Sequence, residues 1–92
     1  MTAKDYIYSM QIGEEIEISV DGHLYFLQPQ YETANEIWSK EIPPYPFTVL
    51  FDSNDYENPK EIFIGTAEEI VNYVFDSKYT IKDNPEKFKR LL

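Results

Sequence analysis

Residues 14–28 read EEIEISVDGHLYFLQ. Successive side chains of a strand point to opposite faces, so Glu14, Ile16, Ile18 and Val20 share one side and Glu15, Glu17 and Ser19 the other. Asp21-Gly22 follows at once, a pair that accepts the positive φ angles of a two-residue type I′ turn, and His23 to Gln28 resume as a second strand. That turn opposes Val20 to His23, Ser19 to Leu24, Ile18 to Tyr25, Glu17 to Phe26 and Ile16 to Leu27. One face of the hairpin then carries Ile16, Ile18, Val20, Tyr25 and Leu27. The other mixes Glu15, Glu17 and Ser19 with Leu24 and Phe26, and is too apolar to be wholly solvated.

Upstream of the hairpin, Ala3, Ile7 and Met10 fall at helical spacing and Gly13 supplies a stop, which predicts a short helix over 3–12. Downstream, Glu36 to Ile42 alternates and predicts a third strand before Pro43, Pro44 and Pro46 forbid regular pairing. Phe47 to Phe51 is β-branched and aromatic, which favours another strand, with a short helix as the other reading. Glu61 to Gly65 supplies a last strand. Thr66-Ala67-Glu68-Glu69 has the spacing of a capping box, and Ala67, Ile70, Val71, Val74 and Phe75 continue it as one apolar stripe of a helix. Asn84-Pro85 offers a second helix start, with Phe88, Leu91 and Leu92 on one face of a final turn or two. The sum is one α+β domain spanning residues 1–92: an antiparallel sheet of three to five strands, with a short N-terminal helix and C-terminal helices packed on it.

The chain has 92 residues with 17 acidic and 8 basic groups, a net charge of -9, one His and no Cys. A disulfide scaffold, a thiolate zinc site, a Cys nucleophile and a c-type haem attachment all need cysteine and are excluded. No apolar run reaches the roughly 18 residues of a membrane span, and the first 20 residues lack a basic start followed by an apolar run, so the cytoplasm is the expected compartment. Residues 1–77 hold 3 Lys against 15 acids, and residues 78–92 hold 5 basic groups against 2 acids. Such a body repels nucleic acid and anionic lipid and suits a protein partner of basic character. The same charge also serves to keep an aromatic-rich domain in solution.

The order Ile12-Gly13-Glu14-Glu15-Ile16-Glu17-Ile18-Ser19, then Asp21-Gly22 and Tyr25, then Trp38, then Phe63 to Ile70, resembles a group of small uncharacterised proteins of Gram-positive bacteria and their mobile elements. Their pattern looks like a Gly-x-Glu-Ile-Glu strand, a Gly turn, a third strand bearing one Trp, and a capped helix after an aromatic. The likeness covers about two thirds of the chain. It departs in the long Pro43 to Pro59 stretch and in the absence of a basic second strand. The group carries no established activity, so the resemblance implies a fold and no chemistry.

Catalytic and cofactor signatures are weak. His23 flanks a turn, and nothing around Ser9 or Ser19 resembles a nucleophile elbow. Asp52-Ser53-Asn54-Asp55-Tyr56-Glu57 suggests a calcium loop, yet Glu57 stands where an EF-hand needs Gly and Phe63 where it needs the bidentate Glu. Glu14-Glu15, Glu15 with Glu17, and Glu68-Glu69 are carboxylate pairs without a visible cleft, and Gly13, Gly22 and Gly65 form no phosphate loop. The expected function is therefore non-catalytic, with neither metal nor cofactor. The candidate partner-binding residues are Tyr45 and Phe47, held on a stiff proline-flanked backbone, Leu24 and Phe26 on the hairpin's second face, and Glu15 and Glu17 beside them. Tyr45 and Phe47 alternatively fold back onto the sheet edge. Leu24 and Phe26 are either covered by a helix or mark an association face, homodimeric or heterologous. Two roles suit such a surface: an accessory interaction domain, or an inhibitor or immunity-type protein in which Glu14, Glu15, Glu17, Asp21, Asp52, Asp55 and Glu57 imitate phosphates.

Overall fold

The computed structural model describes residues 1–39 and 41–91. Helix α1 spans Ala3–Gln11, and strands β1 and β2 span Ile16–Val20 and His23–Pro29. Strands β3 (Phe47–Asp52) and β4 (Lys60–Thr66) follow, then helix α2 (Ala67–Val71) and strand β5 (Phe88–Arg90). The five strands form one antiparallel sheet in the order β4-β3-β2-β1-β5. This is a small α+β domain. Among the described residues no helix is long and apolar enough to cross a membrane.

The hairpin is the frame. Its five pairs run from Ile16 with Leu27 to Val20 with His23, and Asp21 and Gly22 hold φ of 50° and 80°, the left-handed pair a type I′ turn demands. Ile16, Ile18, Val20 and Leu27 are fully buried on one face, joined by Leu50 of β3. Helices α1 and α2 pack on that face through Tyr6, Met10, Ala67, Ile70 and Val71. Both helices begin with reciprocal caps. Thr2 and Asp5 close the first, and Thr66 and Glu69 the second, each pair satisfying two backbone amides that would otherwise lack partners.

Three expected elements differ. The described residues of the segment 36–42, expected as a third strand, are loop and not strand. The Asn35 amide donates to Pro44 O at 2.8 Å and its side-chain nitrogen to Pro43 O at 2.9 Å, so the backbone bonds locally and β2 pairs with β3 instead. Lys40 of that segment lies outside the described residues. Phe47 to Phe51 is strand, extended to Asp52. The helix after Thr66 is short. It ends at Val71, where the Asn72 side chain donates to Glu68 O at 2.8 Å and competes for the carbonyl of the last turn. The chain then reverses through Asp76 and Ser77, both at positive φ, and Val74 of the expected stripe is exposed.

The expected final helix is a single 3₁₀ turn over Pro85–Lys87 followed by β5. Pairing with β1 answers backbone groups on that strand's outer edge, which a helix would leave bare. Leu92 of the expected stripe lies outside the described residues. The returning segment is fastened by Phe75, whose ring meets Tyr25, Tyr73 and Phe88 edge-on at 4.9 to 5.0 Å between centroids.

Gly13, at φ 93°, ends the region of α1, and a Cβ there would lie 2.4 Å from the Tyr45 ring. Gly22 has positive φ but open space around it. Gly22→Ala is therefore expected to cost about 1 kcal/mol from backbone strain alone, and Gly13→Ala distinctly more, because the ring must also move. Thr66→Ala should cost about 1 kcal/mol through loss of its cap. Urea denaturation of the three variants checks this order, and equal losses at the two glycines would contradict the Tyr45 wedge.

Candidate interaction surface

The helices occupy one face of the sheet, and alternation assigns the other. Glu17 pairs with Phe26, Phe26 with Phe51, and Phe51 with Glu61. These four side chains make one row across four strands, an aromatic pair bracketed by carboxylates. The two rings lie 6.4 Å apart at a 42° tilt. A second row runs Gln28, Val49 and Ile64, and Leu24 and Ser19 form a third beside Lys89. Ile62 is the extra residue at a bulge between the Phe63 and Glu61 pairs. Ile62 and Ile64 are 40% and 41% exposed, and Phe47, on the same side of β3, is 37% exposed. An antiparallel sheet often leaves one face in water, but such a face normally carries polar side chains. Here it carries Leu24, Phe26, Phe51, Ile62 and Ile64, two of them exposed and three half-buried.

Two shallow grooves are lined by residues of this face. One, of about 220 Å³, lies between Glu17, Phe26, Tyr56 and Pro59. The other, of about 250 Å³, lies between Gln28, Tyr31, Val49 and Glu61. The first is mainly apolar with the Glu17 carboxylate in its lining, and the second is more polar, with Glu32 and Glu61 both lining it. Glu15 sits at the margin beside Tyr31, whose hydroxyl has its pKa raised by partial burial and by the adjacent Glu15 carboxylate.

The structure thus brings Leu24, Phe26, Glu17 and Phe47 onto one face, with Glu15 at its margin. Tyr45 is elsewhere. Its amide donates to Gln11 O at 3.1 Å, and its ring lies against Gly13 and edge-on to Tyr31 at 5.9 Å. It is half-buried and braces the end of the sheet. Sequence reading missed Phe51, Glu61, Ile62 and Ile64 as members of the surface, because their side depends on the register of β3 and the bulge in β4. The run Ile62-Phe63-Ile64, apolar on both sides of a strand, was the available signal.

Of the acids that could imitate phosphates, Glu14 and Asp52 are engaged within the chain. Arg90 donates to Glu14 at 2.8 Å. Asp52 Oδ1 accepts from the Asn54 amide at 3.0 Å, and its Oδ2 lies 2.9 Å from His23 Nε2. The His23 ring stacks on Tyr25 at 4.6 Å. No family model, curated protein or solved structure matches this chain.

Among the described residues three carboxylates titrate below their ordinary value. Asp5 is lowered by the Thr2 amide and hydroxyl, and Glu14 by its hydrogen bonds from Arg90 and Ser9. For Asp52, partial burial acts to raise the pKa but is outweighed by the Asn54 amide and the His23 ring. A depressed folded pKa contributes stability above the unfolded value, near 3.8 for Asp52, which is lost as pH falls through the folded value. The thermal midpoint should therefore drop on acidification below about pH 4. Asp52→Asn should lower the midpoint at neutral pH and flatten that drop. Thermal unfolding followed across pH checks both, and a variant as acid-sensitive as the parent would remove Asp52 from the account.

Proposed function

We propose that this chain is a small non-catalytic protein-interaction domain, an accessory protein of the cytoplasm that binds a partner of basic character. The observation that carries the reading is the sheet face that the helices leave free, where Phe26 and Phe51, both half-buried, lie between Glu17 and Glu61. Apolar area supplies affinity when it leaves water, and aromatic side chains are favoured anchors because they bury much surface for few rotatable bonds. The flanking carboxylates and the net charge of -9 steer a cationic partner and repel phosphates and anionic lipid. The resemblance to small proteins of Gram-positive bacteria bears on the fold and adds no activity to this reading.

The test is an affinity pull-down from host lysate at low and high salt, with a Phe26→Thr/Phe51→Thr variant alongside. Thr keeps strand propensity and removes both rings. The expected result is a partner that persists in high salt and is weakened at least tenfold in the variant, the scale of lost anchor residues. A partner lost in high salt but kept by the variant would point to the acidic groups alone, as an inhibitor imitating nucleic acid requires. No differential partner under either condition would overturn the interaction reading.

A further inference from the structure

Strand β4 lies at the edge of the sheet, and the opposite edge, β5, has only three residues. The Gln30 amide donates to Phe47 O at 2.9 Å, so the backbone groups of Phe47 face β2. Along an antiparallel strand this orientation alternates. Val49 therefore also faces β2, while Thr48 and Leu50 turn toward β4 and close the ladder with Gly65 and Phe63. Ile64, opposite Val49, is left with its N–H and C=O directed away from the sheet. At the strand's end the Thr66 amide is already taken by Glu69 Oε1 at 3.0 Å.

Proteins usually blunt such edges with charge, proline or a bulge. The first part of β4 has these devices in Lys60, Glu61 and the bulge at Ile62. Ile62 to Gly65 has neither charge nor proline. Ile62 and Ile64 offer apolar surface on the open face, and Phe63 offers it on the other, where its ring meets Tyr73 at 5.2 Å. An added strand would find partners for its backbone and apolar neighbours on both of its sides.

Charge chooses the occupant. Asp55 and Glu57 precede the strand, Lys60 and Glu61 lie in it, and Glu68 and Glu69 follow, five acids against one cation. A second copy carries the same net charge of -9; parallel pairing would set each acid against itself, and antiparallel pairing about Ile64 would gain only Lys60 against Glu68 while bringing the remaining acids of both copies together. We propose that the β4 edge is a β-augmentation site for an extended segment of a partner protein in which Lys or Arg alternates with apolar residues, paired through the outward N–H and C=O of Ile64. The proposal rests on the interaction reading and deepens it, by naming the form and charge of what binds.

The experiment titrates the ¹⁵N-labelled full chain with a blocked heptapeptide of alternating lysine and valine, followed by amide shifts and hydrogen exchange. Ile64→Pro removes the outward N–H and leaves the β3–β4 ladder intact. Ile64→Lys is a second route, placing a cation on the edge should the proline variant fail to fold. Support is saturable binding that slows exchange of the Ile64 amide at least tenfold, weakens with salt, and falls at least tenfold in either variant. Shifts confined to the acidic loop without protection of Ile64 would overturn the proposal as plain charge attraction. So would no saturable shift up to about 1 mM peptide, or a concentration-dependent dimer abolished by Ile64→Lys. Binding lost in Phe26→Thr/Phe51→Thr but unchanged in both Ile64 variants would overturn the edge site while leaving the open-face reading standing.

Discussion

The two left-handed residues at Asp21 and Gly22 constrain everything else in this protein. A strand's side chains alternate with a period of two, so a slip of one residue in the hairpin would turn Ile16, Ile18 and Val20 out to water and bring Glu17 and Ser19 inward. A two-residue turn of this type leaves no room for such a slip. With the register set, Leu27 and Tyr25 join the same dry face, and the helices have one surface on which to pack. The sheet then grows outward on both sides, through β3 and β4 on one and the short β5 on the other.

The places where local pattern and final structure part have a common cause. Glu36 to Ile42 alternates as a strand should, but a strand needs a neighbour with a free edge. That edge of β2 is taken by Phe47–Asp52, which is richer in β-branched and aromatic side chains. The displaced segment satisfies itself with local hydrogen bonds and leaves Ile37 and Trp38 in solvent, at 83% and 66% exposure. Phe88 to Arg90 shows the converse. Its local pattern suggested a helix, yet β1 offered an open edge, Val20 offered a buried place for Phe88, and Glu14 offered a partner for Arg90.

The acidic character of the chain is divided between tasks. Asp5 and Glu69 cap helices and Glu14 anchors Arg90. Glu17 and Glu61 frame the open aromatic row. The same residue type thus contributes local stability in one place and a recognition margin in another, and only its neighbours distinguish the two.

Much of the fold was legible in the residues themselves. The hairpin and its register, the strand over 47–51, the strand around Ile62 to Ile64 and the capping box at Thr66 are set by interactions between residues close in the chain, where spacing alone specifies geometry. Leu24, Phe26 and Glu17 could be assigned to one face for the same reason. What the tertiary structure decided is which edges were filled, where α2 stopped, and that Phe51, Ile62, Ile64 and Glu61 share a side with Phe26 while Tyr45 does not. Those outcomes depend on competition between segments distant in sequence for the same backbone edge and the same apolar face, and no local pattern records who wins.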